Sequence, residues 1–153
     1  MAYNTIKIKK YLDVIVEYTA TAVAITPGYL LELTSAGLVQ AHSTVEGTVL
    51  PMFALEDELQ GEAITDAYDA SAKIQVWVAV RGEIVYALVN DGEDIAIGDF
   101  LTSAGNGKLQ ATTGSSATLS EYPQSIVGVA LDAVDMSDSA KADPSGRIRV
   151  RII

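Results

Sequence analysis

The sequence predicts a mainly β protein on three observations. Apolar residues recur at alternate positions, β-branched residues fill those runs, and Gly- and Asn-based turn signals separate them. The 153 residues fit a single domain with room for a hydrophobic core, and 49% are apolar, too many for a disordered polyanion. The expected organisation is an extended arm at residues 1–11 followed by one compact barrel-like domain at 12–153, with at most one short helix.

In the arm, Ile6 and Ile8 alternate with Lys7, Lys9 and Lys10, between Tyr3 and Tyr11. That pattern calls for extended chain with one apolar face. Leu12, Val14, Val16 and Tyr18 repeat the alternation, as do Ile74, Val76, Val78 and Val80 beside Trp77, so both segments are expected as half-buried strands. Arg81-Gly82 lies between Ile74–Val80 and Ile84–Val89 and predicts a tight hairpin joining them. Asn90-Asp91-Gly92 and Asn106-Gly107 mark further reversals. Glu56 to Tyr68 is expected to hold a turn or short helix, since Gly61 and β-branched Ile64 and Thr65 interrupt it. Thr113 to Gln124 and Met136 to Gly146 have loop composition. Ile148, Val150 and Ile152 alternate with Arg147, Arg149 and Arg151, predicting a closing strand with its cations turned outward.

An internal echo spans residues 25–41 and 95–111. Ile25-Thr26-Pro27-Gly28-Tyr29-Leu30-Leu31, Thr34-Ser35-Ala36-Gly37 and Val39-Gln40-Ala41 return as Ile95-Ala96-Ile97-Gly98-Asp99-Phe100-Leu101, Thr102-Ser103-Ala104-Gly105 and Leu109-Gln110-Ala111. Ala54-Leu55-Glu56 is answered by Ala130-Leu131-Asp132. Each copy suggests a hairpin that can bury one face only against something else, so the two are expected as opposing walls of one barrel or sandwich. The alternative is two ordinary hairpins alike by chance.

The net charge is −10, which disfavours nonspecific attraction to nucleic acid or to an anionic membrane. Three cations and no acid sit at each end, leaving residues 11–146 at −16 within the total of −10. Met1 to Lys10 lacks the apolar core of a signal peptide, and no stretch approaches the ~20 apolar residues of a membrane span. With no Cys, thiol chemistry and disulfides are excluded. His42 is the one histidine and has no partner identifiable from spacing, which argues against catalysis. Gly105-Asn106-Gly107-Lys108 looks like the end of a phosphate loop, but Leu109 stands where Ser or Thr is needed, so a hairpin is the better account. Carboxylates cluster at Glu56-Asp57-Glu58, at Asp91 to Asp94, and at Asp132, Asp135 and Asp138, without the ligand pattern of a calcium loop. No catalytic, cofactor or metal site is therefore expected.

The run from Ile25 to Gly37, then Phe53-Ala54-Leu55-Glu56-Asp57, then Gly61 through Ile64, Asp66, Ala67 and Tyr68 resembles the first half of small tailed-phage head decoration, or cement, proteins. Ile97-Gly98-Asp99-Phe100-Leu101, Gly107-Lys108-Leu109, Gly128-Val129-Ala130-Leu131 and Arg147-Ile148-Arg149-Val150-Arg151 are similar to the closing pattern of that group. The resemblance covers most of residues 20–153 and rests on turn-and-strand motifs rather than catalytic signatures. It implies a β-tulip or barrel-like protein, usually a homotrimer, on the outer surface of an icosahedral capsid at three-fold and quasi-three-fold positions. The partners it implies are the major capsid protein and further copies of the chain, with no nucleic acid, membrane or cofactor.

In related decoration proteins an N-terminal arm often adds to a capsid sheet. By position, that role falls on Tyr3, Ile6, Lys7, Ile8, Lys9, Lys10 and Tyr11 as the capsid-contact residues. An extended arm with alternate apolar side chains can pair with an exposed sheet edge, and its lysines would steer it toward an acidic surface. A carbohydrate-binding β module is the alternative, drawing on Tyr29, Tyr68, Trp77 and Tyr122 as stacking planes. A hydrolase with paired acids is a third, weaker reading.

Overall fold

The computed structural model describes residues 14–112, 123–137 and 146–153. The arm residues Tyr3, Ile6, Lys7, Ile8, Lys9, Lys10 and Tyr11, and also Tyr122, lie outside them. The chain is nearly all β, in three antiparallel sheets with no closed barrel among the described residues. Strands β1 (Ile15–Thr19), β2 (Leu30–Leu33), β3 (Val39–Ala41), β4 (Met52–Ala54) and β5 (Lys73–Val78) form a sheet in the order β1-β5-β4-β2-β3. A second sheet joins β6 (Ile84–Leu88), β8 (Phe100–Ser103), β9 (Leu109–Ala111), β10 (Ile126–Ala130) and β12 (Arg147–Ile152) in the order β6-β12-β10-β8-β9. A two-stranded ribbon pairs β7 (Asp94–Ile95) with β11 (Val134–Asp135). Helical structure is confined to one 3₁₀ turn, Pro123–Ser125, among the described residues. Glu56 to Tyr68 forms hydrogen-bonded turns around Asp57 and Glu58.

The two large sheets have one topology: replacing β1, β2, β3, β4 and β5 by β6, β8, β9, β10 and β12 turns the first order into the second. The chain is thus two copies of one five-stranded unit, and the echo is its most legible part. Leu31 pairs with Ala41 as Leu101 pairs with Ala111, a displacement of 70 positions. Gly28 and Gly98 both take positive φ, +89° and +96°, where glycine avoids a Cβ clash, and each donates its N–H to a β-strand carbonyl, Ala54 and Ala130 respectively. Ala20 bridges Val39 in parallel, and Val89 bridges Leu109 in the same way. This single bridge draws the first strand of each sheet toward its last, curling the sheet without closing it.

Three expectations about the hairpins need correction. The echoed hairpins are not walls of one closed barrel: each belongs to its own five-stranded sheet, β2–β3 to the first and β8–β9 to the second. The Thr-Ser-Ala-Gly matches are also two positions out of phase, because Thr34 and Ala104 occupy the same place, donating to the carbonyls of Leu38 and Lys108. Finally, Arg81-Gly82 does turn, with Gly82 at φ +96°, but it makes no hairpin. It carries the chain from one sheet to the other, since β5 pairs with β1 and β4 while β6 pairs with β12.

Alternation sets the core of each unit. Ile74 and Val76 in the first, and Ile148 and Val150 in the second, point inward at matching positions. The first core is Ala20, Ile25, Leu31, Val39, Met52, Ala54, Tyr68, Ile74 and Val76, all from the first unit. The second also takes in Leu30, Phe53 and Ala79, residues that precede β6.

Candidate functional site

The seam between the units is where strands of the first unit meet the core of the second. Leu30-Leu31 and Met52-Phe53-Ala54 break the alternating pattern with consecutive apolar residues, the signature of strands buried on both faces. Leu31, Met52 and Ala54 fill the first core, while Leu30 and Phe53 point from the opposite face of the sheet into the second. The first unit therefore closes the second unit's core.

The tip of hairpin β8–β9 docks beside them. The Leu30 N–H donates to the Gly107 carbonyl at 2.7 Å, and the Gly107 N–H donates to the His42 carbonyl at 3.1 Å. The Glu46 N–H donates to the Ser103 carbonyl at 2.9 Å. Gly107 has φ +79°, and a Cβ there would lie 2.9 Å from the Ala41 Cβ and 3.0 Å from the Tyr29 ring. Only glycine meets both demands.

Arg147 departs from the expected outward cation. It is 6% exposed, and its guanidinium donates to the carbonyls of Pro27 at 3.0 Å and Ile64 at 2.5 Å, because this end of β12 runs beneath loops of the first unit. Pro27, Gly28, Phe53, Trp77, Tyr86 and Arg147 line a groove of about 250 Å³ along the seam. Arg149 and Arg151 are exposed as expected.

His42 is buried at the seam, with Nε2 3.1 Å from the Thr48 carbonyl and 3.7 Å from Glu32. Burial alone would raise the Glu32 carboxyl, but hydrogen bonds from Ser43 and Gln40 and the facing His42 hold it below its ordinary value. The cluster ties β2 to β3 and to the loop that follows. Gly105-Asn106-Gly107-Lys108 is a hairpin tip. Asp132 forms a bidentate pair with Arg149 across 2.6–3.1 Å and accepts the Arg149 backbone N–H at 2.9 Å. No group of three or more His, Asp or Glu side chains is placed to hold a metal among the described residues. Of the aromatic candidates, Tyr68 is in the first core, while Tyr29 and Trp77 are half-buried at its margin and along the seam. The arrangement suits adhesion between β units.

None of the protein-family models and none of the curated proteins compared matches this sequence. The structure is similar to "head fiber gp8.5 N base in bacteriophage phi29", at a TM-score of 0.55 and 14% sequence identity, over 92% of this chain and 95% of that one. The likeness is one of fold, and it takes in both units.

Proposed function

We propose that this chain is a structural protein of a tailed-phage head: a decoration or cement protein on the outside of the expanded shell, acting by binding rather than by catalysis. The fold likeness over nearly the whole of both chains to the base of a phage head fiber carries this reading. The turn-and-strand motifs, which resemble those of decoration proteins, support it independently. The partner is the major capsid protein, and the unit that binds is a homotrimer at three-fold and quasi-three-fold positions. Three weak contacts held on one body bind far more tightly than one, because later contacts form at high effective concentration. A ligand that prefers the assembled lattice stabilises it by mass action. Tyr3, Ile6, Ile8 and Tyr11 pair with an exposed capsid strand, steered by Lys7, Lys9 and Lys10.

Purified protein is expected to co-sediment with expanded heads that lack it, prepared from the encoding phage, and to raise their melting temperature. Heads that bind none of it would overturn the reading. Deleting Met1 to Lys10 is expected to leave folding intact and weaken attachment; unchanged affinity would remove the arm from the mechanism.

A further inference from the structure

The two units share a topology but are joined asymmetrically: the front of the first, carrying Leu30, receives the hairpin tip of the second, carrying Gly107. Such a joint is head-to-tail, so among the described residues one partner of each kind is left unused. The unused front belongs to the second unit, where Phe100 stands in the place of Leu30. The unused tip belongs to the first unit, where Gly37 stands in the place of Gly107.

Both unused surfaces look made for the missing contact. Leu30 is fully buried, whereas Phe100 is 42% exposed; Ser103 is fully buried, whereas its counterpart Leu33 is 47% exposed. Phe100 and Ile97 on one side and Leu33 on the other leave apolar surface in water that a docked copy would cover. Gly37 holds φ +76° against +79° at Gly107, yet a Cβ on Gly37 would meet nothing within 4 Å, so the turn is preformed in open space. The edge beside this tip is barer too: Val16 is half-buried where its counterpart Val85 is buried.

We propose that the Leu33–Leu38 hairpin tip of one chain docks onto the Phe100 front of a second copy, repeating between chains the joint that holds the two units together within one. In that contact the Gly37 carbonyl accepts from the Phe100 N–H, and the Gly37 N–H exchanges its bond to the Thr34 carbonyl, 3.0 Å away within the tip, for one to the Thr112 carbonyl. A heterologous contact of this kind closes into a ring when its rotation permits. The proposal rests on the self-association in the reading above but not on attachment to a shell.

Sedimentation velocity on the full chain tests it, using Leu33→Glu and Phe100→Glu, both at exposed sites and checked for folding by circular dichroism. The wild type is expected to sediment as an oligomer and each variant as a monomer. An equimolar mixture of the two variants should give a one-to-one dimer of twice the monomer mass. The Phe100→Glu chain keeps its tip and the Leu33→Glu chain keeps its front, so one productive contact remains and cannot propagate. A wild type that stays monomeric up to its solubility limit would overturn the proposal, including one that associates only after Met1 to Tyr11 is deleted, which would give the surface to the chain's own arm. An oligomer that survives either substitution, or a mixture that stays monomeric, would overturn it as well. Head co-sedimentation is scored separately. Variants that lose self-association but still bind heads leave shell attachment standing, whereas wild-type oligomers that ignore heads remove attachment and leave this contact.

Discussion

The first and second units share strand order and register, and differ in what closes them. The second unit buries Ile95, Leu101, Leu109, Ile148 and Val150 under a lid, Leu30 and Phe53, supplied by its neighbour. The first unit places Ile25, Leu31, Val39, Ile74 and Val76 at the same positions, and its buried cluster contains no residue of the second. A duplicated unit therefore need not be duplicated in environment. The same backbone position can be core in one copy and surface in the other, and paired substitutions at such positions measure the difference.

The largest effect is expected at the pair Leu30 and Phe100. Leu30→Ala removes a fully buried side chain from the second core and is expected to cost about 2–5 kcal/mol in denaturant unfolding. Phe100→Ala, at a position 42% exposed, is expected to cost about 1 kcal/mol or less in dilute protein. Equal losses would break the comparison. If a second copy covers Phe100, the gap should narrow as protein concentration rises, because binding to the folded state adds stability by mass action.

Gly107 and Gly37 come next. Alanine at either position meets the left-handed backbone penalty of about 1–2 kcal/mol. Gly107→Ala must also push aside Ala41 and Tyr29 and is expected to cost roughly 1–3 kcal/mol more, while Gly37→Ala meets nothing. Urea midpoints of the two variants, compared at equal slope, check the excess.

What could be read from the sequence follows from these environments. The alternation around Ile74 and around Ile148 was legible because each strand turns one face to a core and the other largely outward. The echo was legible because Ile25, Leu31 and Val39 fill the same inward places as Ile95, Leu101 and Leu109. The phase error came from turn chemistry, since Thr, Ser, Ala and Gly suit several positions of a reversal. Leu30 and Phe53 carried a usable signal, an apolar residue directly beside another in a strand, but Phe100-Leu101 carries it equally. Nothing local tells which of the two fronts is covered within the chain. Arg147 was hidden for the same reason: its alternation is that of Arg149 and Arg151, and only the loops bearing Pro27 and Ile64 bury it. The Arg81-Gly82 turn was visible, but its strand partners lie far along the chain.

Arg147 and its counterpart Lys73 give the third comparison. Arg147→Met strips the Pro27 and Ile64 carbonyls of a charged donor while keeping much of the packing. It is expected to cost about 1.5–3 kcal/mol. Lys73 is exposed and lies 3.2 Å from Glu17, so Lys73→Met is expected to cost at most about 1 kcal/mol. A neutral Arg147→Met would show that the buried guanidinium does not hold the seam.

The smallest effect belongs to Asp132 and Arg149, an ion pair at a place where the first unit has Glu56 and Gln75. The Arg149 guanidinium and backbone N–H hydrogen-bond the Asp132 carboxylate and lower its pKa from 3.8 to about 2. A carboxylate whose folded value lies below its unfolded one stabilises fully above the unfolded value and loses that contribution as pH falls through the folded one. The stability difference between wild type and Asp132→Asn should thus be constant from neutral pH down to near 3.8 and then fade toward pH 2. Because both groups face water, added salt should shrink it throughout. Thermal melts of the two proteins between pH 2 and pH 7 check this, and a difference that grows as the solution is acidified would show that Asp132 is not the stabilised partner.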